Sequence, residues 1–238
     1  MISEQDSRTA MLLGEAAMEQ LKMARVAVFG VGGVGGHLCE ALARAGVGAI
    51  DLFDNDTVSV SNLNRQIVAL HSTVGRPKVE VMRERIADIN PNCAVRAYQT
   101  FYLPENADDY PLDGYDYIAD AIDTVSAKVE LAVRANRLGV PILAAMGAGN
   151  RTDPTRFAIT DLFKTQGCPL ARVMRRELKA RGINRLKVVF SDEPALHPMA
   201  PTDGGIPSKK PIPGSLSFVP SAVGLIMARE IVFDLIKS

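Results

Sequence analysis

Residues 25–56 read RVAVFGVGGVGGHLCEALARAGVGAIDLFDND and carry the strongest structural signal in the chain. The apolar run at 25–29 predicts a buried strand of a parallel sheet. Three glycines follow in G-x-G-x-x-G spacing, which allows a tight turn, a close approach of the backbone to a phosphate, and close packing of the next helix on the sheet. They are Gly30, Gly32 and Gly35. This pattern predicts a nucleotide site at the start of a βαβ unit.

The remainder of the stretch completes that unit. Apolar residues at helical spacing over 37–45 predict the crossover helix, and 49–53 predict a second strand. Asp54 closes this strand, about twenty residues after the glycines, where an acidic side chain usually binds a ribose hydroxyl. The alternative explanation is a glycine turn that binds no ligand.

The composition excludes several classes of protein. The 238 residues carry a formal net charge of zero, so any nucleic-acid site must be local. The cysteines form no C-x-x-C pair, which argues against a disulfide framework and against a four-cysteine zinc site. We find neither a signal-peptide pattern nor a run of about twenty apolar residues. We therefore expect a cytoplasmic protein without membrane attachment.

Strand and helix patterns alternate along the chain, which predicts an α/β fold: a Rossmann-like, mostly parallel sheet flanked by helices. A C-terminal extension adds strands, a mobile loop and a final helix. Predicted strands lie at 25–29, 49–53, 94–100, 117–122, 141–145, 156–162 and 186–191. Predicted helices lie at 8–23, 37–45, 75–89, 104–110, 126–138, 169–181 and 219–236, and the loop lies at 192–217. We divide the chain into a nucleotide-binding core, 1–150, and a C-terminal part of the same domain, 151–238.

Three charged residues favour ATP over a nicotinamide dinucleotide. Arg65 and Lys78 supply a guanidinium fork and a point charge, which suit a triphosphate. Asp123 follows a predicted strand beside the point where the strand order should reverse, and its oxygens can hold Mg²⁺. Each residue also has a simpler explanation: the two cations would be solvated surface charges, and Asp123 would cap the following helix.

Several short motifs occur together in the first part of the chain. They are GVGGVG at 30–35, the pair Asp54 and Asp56, SNLNRQ at 61–66, VGRPK at 74–78 and INP at 89–91. This combination resembles the ThiF/MoeB superfamily, the bacterial relatives of ubiquitin-activating enzymes. The resemblance implies that ATP and Mg²⁺ bind and that a carboxylate is activated by adenylation.

The resemblance also implies roles for individual residues. Asp54 would hold the ribose, and Asp123 would hold the metal ion. Asn62, Arg65 and Lys78 would bind the phosphates, and Arg65, Lys78 and Asp123 would be the catalytic groups. The implied nucleotide site is completed by Gly30, Gly32, Gly33, Asp56 and Gln66.

A homodimer is a further implication of the resemblance. In related proteins an arginine from the N-terminus of the partner subunit often enters the site. Arg8 is the nearby candidate here, because Gln5 stands where the arginine is usual.

The second part of the chain narrows the resemblance. It lacks the two C-x-x-C pairs usual in MoeB-like and ThiF-like enzymes, and its segments 164–172, 175–182, 188–193 and 217–220 are similar to the branch called TcdA or CsdL. That branch implies ATP-dependent dehydration of threonylcarbamoyladenosine in tRNA. Because the nucleophile of this ring closure lies within the substrate, no enzyme cysteine is required, and this branch does not imply an obligatory catalytic role for Cys168.

A tRNA substrate predicts a local basic surface. The stretch 164–190 contains many arginines and lysines and a single acid, Glu177. On the helix predicted at 169–181, four basic residues would share one face and bind RNA phosphates. They are Arg172, Arg175, Arg176 and Lys179. Lys209 and Lys210 in the loop would add contacts, and a solvated helix face is the alternative.

Two other functions stay open on the sequence alone. An enzyme that activates a ubiquitin-like sulfur carrier would adenylate the C-terminal glycine of that carrier, and Cys168 would then form a thioester or persulfide. A sulfur-transfer protein would be a further partner. A non-catalytic NAD-binding module would need only the glycines and Asp54.

Overall fold

The structure, a computed structural model, describes residues 3–197 and 213–237. Its single sheet of seven strands has the order β3-β2-β1-β4-β5-β7-β6. The strands are β1 (Arg25–Phe29), β2 (Ala49–Phe53), β3 (Ala94–Tyr98), β4 (Tyr117–Asp120), β5 (Ile142–Ala145), β6 (Phe157–Asp161) and β7 (Lys187–Ser191). The helices are α1 (Ser7–Leu13), α2 (Glu15–Met23), α3 (Gly35–Arg44), α4 (Lys78–Ile89), α5 (Val125–Leu138), α6 (Pro169–Lys179) and α7 (Phe218–Leu235). A 3₁₀ helix, Pro104–Asp109, stands where 104–110 predicted a helix.

The sheet confirms the predicted Rossmann-like α/β fold. All strand pairs from β3 across to β7 are parallel. The order reverses between β1 and β4, and a reversal of this kind opens a crevice at the carboxyl ends of the strands. Phe29 pairs with Phe53 on one side and with Asp120 on the other, so the ends of β1, β2 and β4 lie level at this crevice.

The C-terminal part of the chain extends the same sheet. β7 lies beside β5, and β6 is an antiparallel edge strand that pairs with β7. The sheet therefore runs across residue 150, and the division of the chain at that residue stays a prediction.

Two predicted helix boundaries were wrong. The helix predicted at 8–23 is interrupted at Gly14, whose φ of +86° lies outside the helical region, so α1 and α2 are separate. The helix predicted from Gly75 begins at Lys78 instead. Gly75 has a φ of +89°, which belongs to a turn, and Thr57 forms an isolated bridge with Pro77 just before the helix.

The last helix packs against the crossover helix. α7 lies along α3, and Gly224 permits the close approach: a Cβ at this position would lie 2.4 Å from the carbonyl oxygen of Val34. Val223, Met227 and Ile231 of the same helix are fully buried in the main core. Among the described helices, none is long and apolar enough to cross a membrane.

The predicted loop lies partly outside the described residues. Residues 192–197 and 213–217 have neither helix nor strand. Lys209 and Lys210, to which we assigned RNA contacts, lie outside the described residues.

Candidate active site

The glycine turn between β1 and α3 has no room for side chains at two positions. Gly30 has a φ of +90°, and a Cβ there would lie 2.6 Å from the carbonyl oxygen of Ala121, just after β4. A Cβ at Gly35 would lie 1.7 Å from the oxygen of Gly30. The turn therefore brings the start of α3 to the crevice, where free backbone N–H groups and the helix dipole suit a phosphate.

Asp54 is fixed beside this turn, directly after β2. Its carboxylate accepts hydrogen bonds from the backbone N–H of Val31 at 2.7 Å and from that of Asp56 at 2.8 Å. Burial raises the pKa of Asp54, although the charge of Lys78 and these N–H groups oppose the change. Each carboxylate oxygen can accept a further hydrogen bond. The geometry therefore suits the predicted contact with ribose hydroxyls.

Lys78 is the first residue of α4, and its side chain is buried. Nζ donates a hydrogen bond to Oδ2 of Asp56 at 2.7 Å, and the backbone N–H of Lys78 donates to the carbonyl oxygen of Asp56 at 3.0 Å. An ammonium group so far from water needs a negative partner. Lys78, which we predicted to bind a phosphate, is thus a cation that is shielded from solvent and held in position by the carboxylate of Asp56.

Two further predicted phosphate ligands stand on the turn after Asp56. Oδ1 of Asn62 accepts from the backbone N–H of Ser59 at 3.0 Å, which leaves the amide nitrogen of Asn62 for a ligand. Arg65 donates through Nη1 to the carbonyl oxygen of Ser61 at 2.9 Å and to Oδ1 of Asn64 at 2.8 Å. These contacts hold the guanidinium of Arg65 in place while the rest of its fork stays open.

Gln66 and the middle glycines line the same cavity. Gln66 is buried, and in the described part of the chain its Oε1 has no hydrogen-bond partner. A Cβ on Gly32 would lie 3.7 Å from Nε2 of Gln66, and a Cβ on Gly33 would lie 3.1 Å from Cβ of Pro220 in α7. The backbone of both glycines is therefore bordered by Gln66 and by the last helix.

Asp123 stands free at the carboxyl end of β4. Its side chain is exposed, and its Oδ1 accepts a long hydrogen bond of 3.4 Å from Oγ1 of Thr124. The alternative role as cap of α5 is not seen, because no side chain caps that helix. Asp123 lines the cavity together with Lys78 and Arg65. Within the described ranges, no cluster of three or more His, Cys, Asp or Glu side chains is placed to hold a metal ion.

A buried ion pair behind this edge was missed by the sequence analysis. Nζ of Lys128 lies 2.9 Å from Oδ2 of Asp120, and both side chains are almost wholly excluded from solvent. Nζ also donates to the carbonyl oxygen of Ile122 at 3.2 Å, and Oδ1 of Asp120 accepts from the N–H of Ile122 at 3.1 Å. Burial raises the pKa of Asp120, and Lys128 opposes this change. The pair fixes the segment that leads to Asp123.

The residues that we predicted to bind the nucleotide line one cavity of about 680 Å³. The other half of this cavity is lined by residues to which the sequence analysis gave no role in the nucleotide site. This half includes the segment after β5, the start of α6 and the segment before α7. Lining residues there include Met146, Asn150, Arg151, Cys168, Leu170 and Gly214.

A family model described as "ThiF family" matches residues 6–237, nearly the whole chain. The chain belongs to the ThiF family. The family resemblance proposed from the glycine turn and the following motifs is thereby confirmed.

Relatives within the ThiF family match over most of their length. The tRNA threonylcarbamoyladenosine dehydratase of Bacillus subtilis is 45% identical over 241 residues, which cover 98% of this chain and 95% of the relative. The enzyme of the same name from Escherichia coli is 43% identical, over 85% of this chain and 78% of the relative. The similarity to the TcdA branch thus includes the C-terminal part.

Solved structures show the same similarity to the TcdA branch over the whole chain. The Escherichia coli dehydratase TcdA in complex with AMP has a TM-score of 0.90 and 38% identity and covers 100% of this chain and 97% of that one. The same protein in complex with ATP has a TM-score of 0.88. By contrast, the molybdopterin-synthase adenylyltransferase of Salmonella typhimurium is 40% identical over only 53% of this chain and 50% of the relative.

The basic helix of this ThiF-family chain differs in part from the prediction. Arg172 and Lys179 are exposed, and Arg176 pairs with Glu177 at 2.8 Å. Arg175 turns back instead, and its Nη1 donates to the carbonyl oxygen of Thr165 at 2.9 Å and to the hydroxyl of the same residue. The face available to RNA phosphates therefore consists mainly of the other three residues.

The cysteines are all buried and free. Burial raises the pKa of Cys93 to about 11 and that of Cys39 further still, as expected for small apolar core residues. Cys168 stands at the N-cap of α6 beside the cavity, where a Cβ on Gly147 would lie 3.9 Å from its sulfur.

Proposed function

We propose that this chain is an ATP-dependent tRNA threonylcarbamoyladenosine dehydratase. The observation that carries this assignment is similarity to dehydratases of that name over both parts of the chain, including the C-terminal part that lines half of the cavity. Similarity to an adenylyltransferase of the molybdopterin pathway covers only half of the chain. The sulfur-carrier alternative is therefore the weaker one.

The reaction removes one water from the substrate, and the carboxylate must first be activated. Hydroxide is a very poor leaving group, because water has a pKa of about 15.7. One carboxylate oxygen attacks the α-phosphorus of ATP, and pyrophosphate leaves. The nucleophile within the threonylcarbamoyl group then attacks the carbonyl carbon, and AMP leaves with the carboxylate oxygen. The protein must position the two reactants and neutralise phosphate charge.

The chain supplies groups suited to these tasks. Asp54 holds the ribose, and Arg65 and Lys78 bind the triphosphate as the backbone of Gly32 and Gly33 borders it. Arg65 is held by two hydrogen bonds and Lys78 by Asp56. Such preorganised cations stabilise the charge that develops as pyrophosphate leaves.

Asp123 fits a magnesium ion bound together with the nucleotide. Its carboxylate is exposed at the cavity, whereas Asp120 is occupied by Lys128. Mg²⁺ usually binds through one or two carboxylates and the phosphates of its substrate. When bound there, the ion would neutralise phosphate charge and orient the triphosphate.

The exposed basic residues of α6 hold the tRNA, and the active form is a homodimer. Arg172, Arg176 and Lys179 are all exposed on one helix. Arg8 is exposed on α1, as a residue that enters a partner's site must be. A sulfur-transfer protein is not needed for the reaction.

The test combines purified protein, ATP, Mg²⁺ and tRNA that carries threonylcarbamoyladenosine, with nucleoside mass spectrometry as the readout. We expect that nucleoside to lose one water only when ATP is present, and Asp123→Ala to abolish the loss. An unchanged nucleoside, with ATP–pyrophosphate exchange that appears only on addition of a small protein ending in Gly-Gly, would instead establish a sulfur-carrier activating enzyme.

A further inference from the structure

The half of the cavity that the nucleotide residues do not occupy contains a buried arginine. Arg151 follows β5, which lies three strands away from β2 and its Asp54. The side chain is 3% exposed and lines the cavity. Its Nε and Nη1 are buried and find no hydrogen-bond partner in the part of the chain that the structure describes. A buried donor that stays unpaired is costly, more so when it is charged.

The neighbouring acids do not satisfy this guanidinium. Both carboxylate oxygens of Glu193 accept from Thr152, through N–H at 3.0 and 3.2 Å and through Oγ1 at 2.8 Å, and one also accepts from the N–H of Asp153. Asp192 pairs with Nε of Arg156 at 2.8 Å. Burial alone would raise the pKa of Glu193, but these hydrogen bonds and the nearby charge of Arg151 hold it below its usual value. Arg151 is thus close to Glu193 without bonding to it.

The backbone on either side of Arg151 is fixed. Asn150 has a φ of +58°, which non-glycine residues rarely adopt. Its N–H donates to the carbonyl oxygen of Gly214 at 2.8 Å, and its Oδ1 accepts from the N–H of Gly214 at 2.7 Å. Glu193 anchors the following residue, Thr152. Strained backbone held in this way is typical of functional sites, and here it presents a preorganised donor.

We infer that Arg151 binds the carboxylate of the threonylcarbamoyl group, an inference that rests on the proposed function. The planar fork of a guanidinium matches a carboxylate. Arg65 and Lys78 already provide for the phosphates in the other half of the cavity. Arg151 holds one carboxylate oxygen while the other attacks the α-phosphorus. The held oxygen becomes the carbonyl oxygen of the acyl-adenylate, and the positive charge then stabilises it during ring closure.

The test compares Arg151→Gln with the matched control Arg156→Gln, which removes an exposed arginine from the same segment. The probes are tRNA with and without threonylcarbamoyladenosine, together with ATP alone. We expect Arg151→Gln to lower the preference for the modified tRNA by about 10- to 100-fold, as the loss of a hydrogen-bonded charge does. Its affinity for ATP should be unchanged, and Arg156→Gln should keep the full preference.

Other results would overturn the inference. An equal loss of affinity for both tRNAs would place a backbone phosphate on Arg151, and a loss of ATP affinity would place the nucleotide there. Arg151→Lys keeps the charge without the fork and carries the same comparison if the glutamine variant does not fold. If wild-type protein dehydrates the nucleoside but Arg151→Gln retains its tRNA preference, only this inference fails. If wild-type protein is inactive, the proposed function fails.

Discussion

Two lysines of this site are buried, and each lies against one carboxylate. Lys78 faces Asp56 at the cavity, whereas Lys128 faces Asp120 behind it. Asp56 is largely exposed and Asp120 is not. Lys78 can therefore exchange its contact with Asp56 for a contact with a phosphate, whereas the pair of Lys128 and Asp120 can only stabilise the fold.

Lys78→Ala should lower kcat/KM for nucleoside dehydration by about 10²- to 10³-fold, the usual effect of removing one preorganised donor. The measurement is the initial rate of water loss by mass spectrometry. Arg76→Ala is the control, because Arg76 lies just before α4 and its half-exposed side chain pairs with Glu84. The rate of this variant should stay near that of wild type. Similar losses in the two variants would mean that local charge alone, rather than the buried ammonium, supports catalysis.

Lys128→Met should lower the free energy of unfolding by about 3–5 kcal/mol at neutral pH, because it leaves a buried carboxyl without its partner. Burial raises the pKa of Asp120. The folded variant therefore keeps a proton that the unfolded chain releases above about pH 4. The contribution of Asp120 to the stability of this variant should therefore be greatest below that pH and should be lost as the pH rises through the folded pKa.

Denaturant unfolding between pH 4 and 8 measures this dependence. The double variant Asp120→Asn/Lys128→Met lacks the titrating group and serves as the reference. The difference in unfolding free energy between the single and double variants should grow with pH. A difference that is constant over this range would show that Asp120 does not titrate in the folded protein.

At the scale of elements, α7 supports the site as directly as the glycine turn does. It packs along α3 through Gly224, and Pro220 in its first turn borders Gly33. A change far along the chain can therefore displace the helix that follows the nucleotide turn.

Gly224→Ala places a methyl group 2.4 Å from the carbonyl oxygen of Val34. We expect it to reduce stability by about 1–3 kcal/mol, as overpacking usually does, and to weaken ATP binding as well. Thermal unfolding and ATP titration measure the two effects. Gly114→Ala is the control, since a Cβ there meets no atom within 4 Å. Normal ATP affinity in a destabilised Gly224→Ala would separate α7 from the site.

The basic face of α6 should contribute to tRNA affinity through its charge. Replacing Arg172, Arg176 and Lys179 with alanine should weaken tRNA binding and reduce the slope of log K against log salt by about 2–3, since each phosphate contact contributes nearly one unit. Fluorescence anisotropy over a salt series measures both. A charge-matched triple variant at Arg44, Arg83 and Arg137 should leave the slope unchanged, and equal slopes in all proteins would contradict an RNA face on α6.

How far the sequence predicts this molecule depends on how local each feature is. The βαβ unit was predicted because strand runs and glycine spacing are local, and the motif residues Arg65, Lys78 and Asp123 indeed meet in one cavity. The turn at Gly75 was missed because the apolar spacing of the helix does not show where the helix begins. The positive φ of Gly75, which the sequence does not reveal, places this residue in a turn before the helix. Lys128 resembled an ordinary helix lysine until the fold placed Asp120 beneath it. Arg151 is buried, and the residues on either side of it, Asn150 and Thr152, bond to Gly214 and Glu193, about forty to sixty positions further along the chain.

At the scale of the whole molecule, both parts of the chain, 1–150 and 151–238, line the cavity. The glycine turn lies on one side, and the segment after β5, the start of α6 and the start of α7 lie on the other. Because the sheet and core also continue past residue 150, the nucleotide-binding core depends on elements outside it.

A fragment of residues 1–150 should therefore fail to fold cooperatively or bind ATP. It lacks β7 beside β5 and leaves the face of α3 that α7 covers exposed. Circular dichroism during thermal unfolding and ATP titration test this expectation, and co-expression of residues 151–238 should restore both properties. A sharp transition and ATP binding in the isolated fragment would establish residues 1–150 as an independent folding unit.

Asn150 ties two distant positions of the chain together at one point. It accepts from the N–H of Leu196 at 2.9 Å, and it bonds twice to Gly214. Leu196 and Gly214 are thus held at the same residue, although they lie far apart in the sequence. When two positions are held in this way, each doubling of the number of residues between them costs only about 0.6 kcal/mol of closure entropy. An insertion between Leu196 and Gly214 should therefore cost the protein little stability.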